Sequence, residues 1–93
     1  MNQSPKLKQR QEQLKKQINQ RLNLLIGSVV RSPSMGGWCL TDKVAGKTVT
    51  RYVRKSVVAE AQRMSRNCQR LWKLLRQLSD VNWQLLREKS RQD

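Results

Sequence analysis

The sequence contains no histidine and no phenylalanine. Without histidine it lacks both the commonest general base near neutral pH and the commonest metal ligand. Two cysteines, Cys39 and Cys68, are too few for a four-ligand zinc site or a disulfide framework. They lie in differently patterned segments, and the expectation is two reduced structural thiols. Aromatic side chains are scarce: Trp38, Tyr52, Trp72 and Trp83 are the whole set. The longest apolar run, Leu24-Leu25-Ile26-Gly27-Ser28-Val29-Val30, falls far short of the ~20 residues a bilayer span needs. The first ten residues contain no apolar core of a secretory signal, so the expected location is cytoplasmic.

Acidic residues are also few, and here the scarcity turns into a positive feature. Six Asp and Glu stand against 20 Lys and Arg in 93 residues, a formal net charge of +14. The length allows one small domain, 1–93, with a modest core. Charge of this size and sign points to a polyanion: nucleic acid, anionic membrane or an acidic protein. Membrane is the weakest of these, because the basic segments have no flanking apolar anchor beyond Trp83.

Three segments differ in period. Over 6–26, Leu7, Leu14, Ile18, Leu22 and Leu25 recur at helical spacing among Lys, Gln and Arg. Ser4-Pro5 fits the start of that helix and Gly27 an αL cap at its end. Over 28–55 the pattern becomes β-like. Val29-Val30 suits a short strand, and Trp38–Val44 and Lys47–Arg54 flank the two-residue turn Ala45-Gly46 as a β-hairpin. Pairing Val44 with Lys47 sets Asp42 opposite Val49, Leu40 opposite Arg51 and Trp38 opposite Val53. From 56 to 91 the period is helical again, with Ser56 as N-cap. Val57, Ala61, Met64, Cys68, Leu71, Leu75, Leu78, Asn82 and Leu85 form a heptad seam. The seam keeps its phase across Ser79-Asp80, which favours one unbroken helix over a break there. The expected fold class is mainly α (α+β): a long helical hairpin with a small β-hairpin between the two helices.

Basic residues concentrate in two acid-poor stretches. Arg63, Arg66, Arg70 and Lys73 follow the three-four spacing of the seam on the opposite face, where like charges at i,i+4 destabilise an isolated helix. Such a face suits a phosphate backbone; the plainer alternative is a solvated surface. Lys43, Lys47, Arg51, Arg54 and Lys55 lie on or just after the ribbon, with hydroxyls at Thr48, Thr50 and Tyr52. That ribbon either contacts phosphates and base edges or is an exposed edge guarded by cations. Leu71, Trp72, Leu75, Leu78, Asn82 and Leu85 are the candidate protein-interaction residues, for a partner or a second copy. Trp38 and Trp72 are expected to be buried. Trp83, between the seam and the basic stripe, is expected to be buried against a neighbouring helix, the alternative being stacking on an unpaired base. A polar Asn82 within the seam would set register or oligomer number.

Gly46-Lys47-Thr48 resembles the end of a P-loop, but Thr41 occupies the place of the first glycine and the segment reads as a hairpin. With no histidine, no suitably spaced carboxylate pair and no cysteine beside an evident base, no catalytic constellation remains. The expectation is a non-enzymatic protein with no metal, cofactor or small-molecule substrate.

A resemblance rests on Gly27-Ser28-Val29-Val30-Arg31, on Lys43-Val44-Ala45-Gly46-Lys47-Thr48-Val49-Thr50-Arg51-Tyr52-Val53, and on the basic helix around Leu71-Trp72-Lys73-Leu74-Leu75. Together these resemble a family of short basic bacterial proteins of unknown function, often encoded near transposases. The Gly-Lys-Thr-Val-Thr-Arg hairpin is its most specific element. Members typically carry a cysteine cluster resembling a metal knuckle between the first two elements. Here that stretch, Arg31-Ser32-Pro33-Ser34-Met35-Gly36-Gly37, has none, so no metal carries over. The resemblance implies a mobile-element setting and binding to DNA or a ribonucleoprotein.

Overall fold

The structure, a computed structural model, describes residues 4–91. Its elements are helix α1 (Ser4–Asn19), strands β1 (Ser28–Ser32), β2 (Gly37–Val44) and β3 (Lys47–Val53), and helix α2 (Val58–Arg91). Short 3-10 turns at Pro33–Met35 and Lys55–Val57 precede β2 and α2. The chain divides into two compact units, Asn23–Gln69 and a second made of Met1–Leu22 with Arg70–Asp93.

In the first unit the expected hairpin forms in the expected register. Val44 faces Lys47, Asp42 faces Val49, Leu40 faces Arg51 and Trp38 faces Val53. The turn residues Ala45 (φ 51) and Gly46 (φ 80) are both left-handed. That is the type I′ geometry whose twist matches the flanking strands. The hairpin does not stand alone, however. β1 pairs antiparallel with β2, Val29 on Leu40 and Arg31 on Trp38, giving a three-stranded sheet in the order β1-β2-β3. A two-stranded ribbon is marginal by itself, and the third strand supplies the missing support. Leu40, Val53 and Ala61 form the core, with Leu25, Val29, Trp38 and Val58 packed against it. Burying each Val or Leu of this set contributes on the order of 1.5–3 kcal/mol.

The first helix ends seven residues before its expected limit of 26. Its ladder tightens at the end, with Gln20 N–H bonded to Lys16 O and Arg21 N–H to Ile18 O. Beyond that point the chain binds to α2 instead of to itself. Leu25 N–H donates to Met64 O at 3.1 Å, Asn67 Nδ2 donates to Asn23 O at 3.1 Å, and Ser65 Oγ donates to Gly27 O at 2.7 Å. A helix through residue 26 would give Leu25 N–H to Arg21 O rather than to Met64 O, so tertiary pairing overrides propensity here. Gly27 is therefore no helix cap. At φ +127 it leads into β1, and a Cβ there would sit 2.6 Å from Thr41 O.

Helix α2 is unbroken across Ser79-Asp80. Ser56 is not its N-cap, because it lies inside the 3-10 turn Lys55–Val57. Within 58–69 the buried positions are Ala61, Ser65 and Cys68. In the second unit Leu14 of α1 and Val81 of α2 are buried, while Leu7, Ile18, Leu71, Leu74, Leu75, Leu78 and Leu85 are half-buried. Arg10 Nη2 donates to Gln77 Oε1 at 3.1 Å and Gln11 Nε2 to Asn82 Oδ1 at 2.7 Å. Burial thus leaves the heptad track: Val81 is inside and Asn82 is exposed.

Replacing Ser65 by Ala removes the only side-chain donor observed on Gly27 O and should cost about 1–3 kcal/mol in urea denaturation. Gly27→Ala should cost more than Ser65→Ala, because a left-handed φ and contact with Thr41 O act together.

Candidate nucleic-acid interface

All nine cations singled out from the sequence are exposed: Lys43, Lys47, Arg51, Arg54, Lys55, Arg63, Arg66, Arg70 and Lys73. Among the described residues the one ion pair is Lys15 with Glu12, at 3.5 Å on α1. None of the nine forms an ion pair among the described residues. Arg63, Arg66, Arg70 and Lys73 keep three-four spacing along one continuous helix, as expected.

The ribbon cations do not form one patch. Alternation along the strands puts Lys47 and Arg51 on the sheet face that also carries Leu40 and Trp38. Lys43 lies on the other face with Thr48, Thr50 and Tyr52. That second face is rich in hydroxyls, because Ser28, Thr41 and Thr50 line up across the three strands. Arg51 borders an apolar cleft of about 350 Å³ lined by Leu25, Ile26, Val44 and Val49, in which Asp42 is also present. Arg54 borders another, with Met64 and Glu60.

Lys55 lies elsewhere. It lines a cavity of about 350 Å³ at the end of the sheet together with Arg31, Gly36, Gly37, Trp38 and Tyr52. Tyr52 is 62% exposed, and its ring crosses Gly37, where an added Cβ would meet ring carbon Cε2 at 3.2 Å. A side chain at position 37 would require the Tyr52 ring to shift by a few tenths of an ångström. Arg31 was not among the sequence candidates. Its place beside Trp38 depends on the β1–β2 register, and a strand signal at Val29-Val30 does not specify that register.

Two tryptophans expected to be buried are not. Trp72 and Trp83 are each 60% exposed, and Leu86 is 57% exposed. Eleven residues are close to three full turns, so Trp72 and Trp83 share a side of α2 about 16 Å apart. Trp38, by contrast, packs on the core. Of the candidate interaction residues, Leu71, Leu75, Leu78 and Leu85 are half-buried, whereas Trp72 and Asn82 are exposed.

No group of three or more His, Cys, Asp or Glu able to hold a metal ion occurs among the described residues. Cys39 and Cys68 are both buried, and neither is in a disulfide. Among the described residues no helix is long and apolar enough to cross a membrane.

These features define a mixed α+β protein, two α-helices and a three-stranded antiparallel sheet, with an unpaired basic surface. Comparison of the chain with protein-family models, curated proteins and solved structures finds no match.

Burial makes a direct prediction for the thiols. Cys39 and Cys68, 1% and 5% exposed, should resist a water-soluble disulfide reagent in the folded protein and both react on addition of denaturant. Rapid labelling of either thiol in native buffer would contradict this packing.

Proposed function

We propose that this chain is a non-enzymatic nucleic-acid-binding protein, an accessory component of a mobile-element or other nucleoprotein complex in the cytoplasm. The observation that carries this reading is the uncompensated charge: nine exposed cations, none paired within the described chain. Such a surface attracts phosphates over long range, and its Lys and Arg donate to them on contact. The α2 stripe of Arg63, Arg66, Arg70 and Lys73 is the principal backbone contact. Lys43, Lys47, Arg51, Arg54 and Lys55 add contacts around the sheet, where the hydroxyls of Ser28, Thr41 and Thr50 are further donors. Within the helical unit, α1 and the C-terminal part of α2 act as a helical hairpin. The hydrogen bonds from Arg10 and Gln11 to Gln77 and Asn82 support that pairing.

A second reading is a protein-interaction adaptor, and the exposed Trp72, Trp83 and Leu86 favour it. Large apolar side chains clustered on one side of a helix are characteristic of partner surfaces. In sedimentation, a self-associated wild type that becomes monomeric as Leu86→Asp supports this reading, and a wild-type monomer removes self-association.

Salt titration tests the leading reading. With about six phosphates engaged, log K against log[salt] should fall with a slope near −5 for duplex. Arg63→Gln and Arg66→Gln should each weaken binding across sequences and reduce the slope by about 1. Affinity insensitive to salt, or no binding at about 50 mM salt, rules it out.

A further inference from the structure

The cavity at the end of the sheet combines two cations and aromatic rings without a carboxylate. Its ionisable lining is Arg31, Lys55 and Tyr52, without a carboxylate. Other clefts each contain an acid: Asp42 beside Arg51, Glu60 beside Arg54, and Glu88 beside Arg87 and Arg91. A further one, with Arg66, Gln62 and Ser65, carries no aromatic ring. At about 350 Å³ the cavity lies at the lower end of the ~300–1,000 Å³ typical of small-ligand sites.

Its aromatic groups differ in role. Trp38 packs on the core and forms a fixed wall. Tyr52 is held across Gly37 yet remains 62% exposed, so part of its ring is open to solvent. Gly36 and Gly37 put backbone without side chains at the rim, which leaves room for a planar group to approach. Arg31 lines the cavity from β1 and Lys55 from the turn after β3, so two cations border the same space as Tyr52. An exposed ring in a cavity bordered by two cations, with no carboxylate in its lining, matches an unpaired nucleobase and its phosphates. Bases paired inside a duplex are stacked on their neighbours and have no free face for Tyr52.

Building on the proposed nucleic-acid function, we infer that this cavity is a stacking site for an unpaired base. Tyr52 takes the base, and Arg31 and Lys55 hold the adjoining phosphates. The protein therefore prefers single strands to duplex, and Tyr52 is the source of the preference.

The test uses the full chain and fluorescence anisotropy with labelled oligonucleotides of one sequence: single-stranded DNA, single-stranded RNA and duplex DNA. Wild type should bind at least one single strand more tightly than duplex, and comparing the two single strands identifies the sugar it accepts. Tyr52→Ala should weaken single-strand binding by about 10-fold or more with duplex binding little changed, while Tyr52→Phe keeps the single-strand affinity. Because Tyr52 also covers Gly37, the double substitution Arg31→Gln with Lys55→Gln provides a second variant at exposed positions. It should reduce the single-strand preference with an unchanged circular dichroism spectrum. Equal single-strand affinity in wild type, Tyr52→Ala and the double variant, with duplex binding intact, overturns the stacking site and leaves the broader reading standing. Absence of binding to every oligonucleotide at low salt overturns both.

Discussion

Residues 23–27 lie along the first turns of α2, held by Leu25 N–H on Met64 O, Asn67 Nδ2 on Asn23 O and Ser65 Oγ on Gly27 O. The rest of the sheet unit depends on that attachment. It ends α1 at Asn19 although the residues that follow are good helix formers. It directs the chain into β1 through a glycine whose backbone approaches Thr41 too closely for any side chain. β1 then enters at the register that puts Val29 beside Leu40 and Arg31 beside Trp38. Ser65, a buried polar residue on an otherwise apolar helix face, is tolerated because its hydroxyl has this one partner.

The charge distribution follows from what these small units bury. Few positions in a chain of this length leave solvent, and the interior is apolar apart from Ser65 among the described residues. The cations of the nine candidate positions therefore remain outside. The single ion pair among the described residues, Lys15 with Glu12, involves none of them. Self-repulsion of this kind opposes compactness and is relieved when phosphates replace bulk counterions. The same surface is thus unfavourable in the isolated protein and favourable in a complex with a polyanion.

The sheet and the distal helix offer different chemistry to partners. One end of the sheet gathers aromatic rings and cations around two glycines, with Tyr52 open to solvent. The distal part of α2 carries Trp72, Trp83 and Leu86 outward while Val81 is buried. The proposed nucleic-acid function uses the first surface and the adaptor reading the second, so the two proposals are compatible.

Local sequence determined the hairpin and the long helix. Gly46 adopts a left-handed conformation without steric cost, Ala45 is carried into one with it, and alternation on either side then permits one register, which the strands adopt. Unbroken helical period across Ser79-Asp80 likewise sufficed for α2. The exposure of the nine cations was legible for the same reason, since charge is rarely buried without a partner. The tertiary structure alone decided the end of α1, the pairing of β1, the exposure of Trp72 and Trp83, and the cavity that joins Arg31 to Tyr52. Each of these depends on contacts between residues distant in sequence, such as Gly27 with Ser65 or Arg31 with Trp38. Helical period states which residues share a face, and strand alternation does the same for a sheet. Neither states which other element that face will meet.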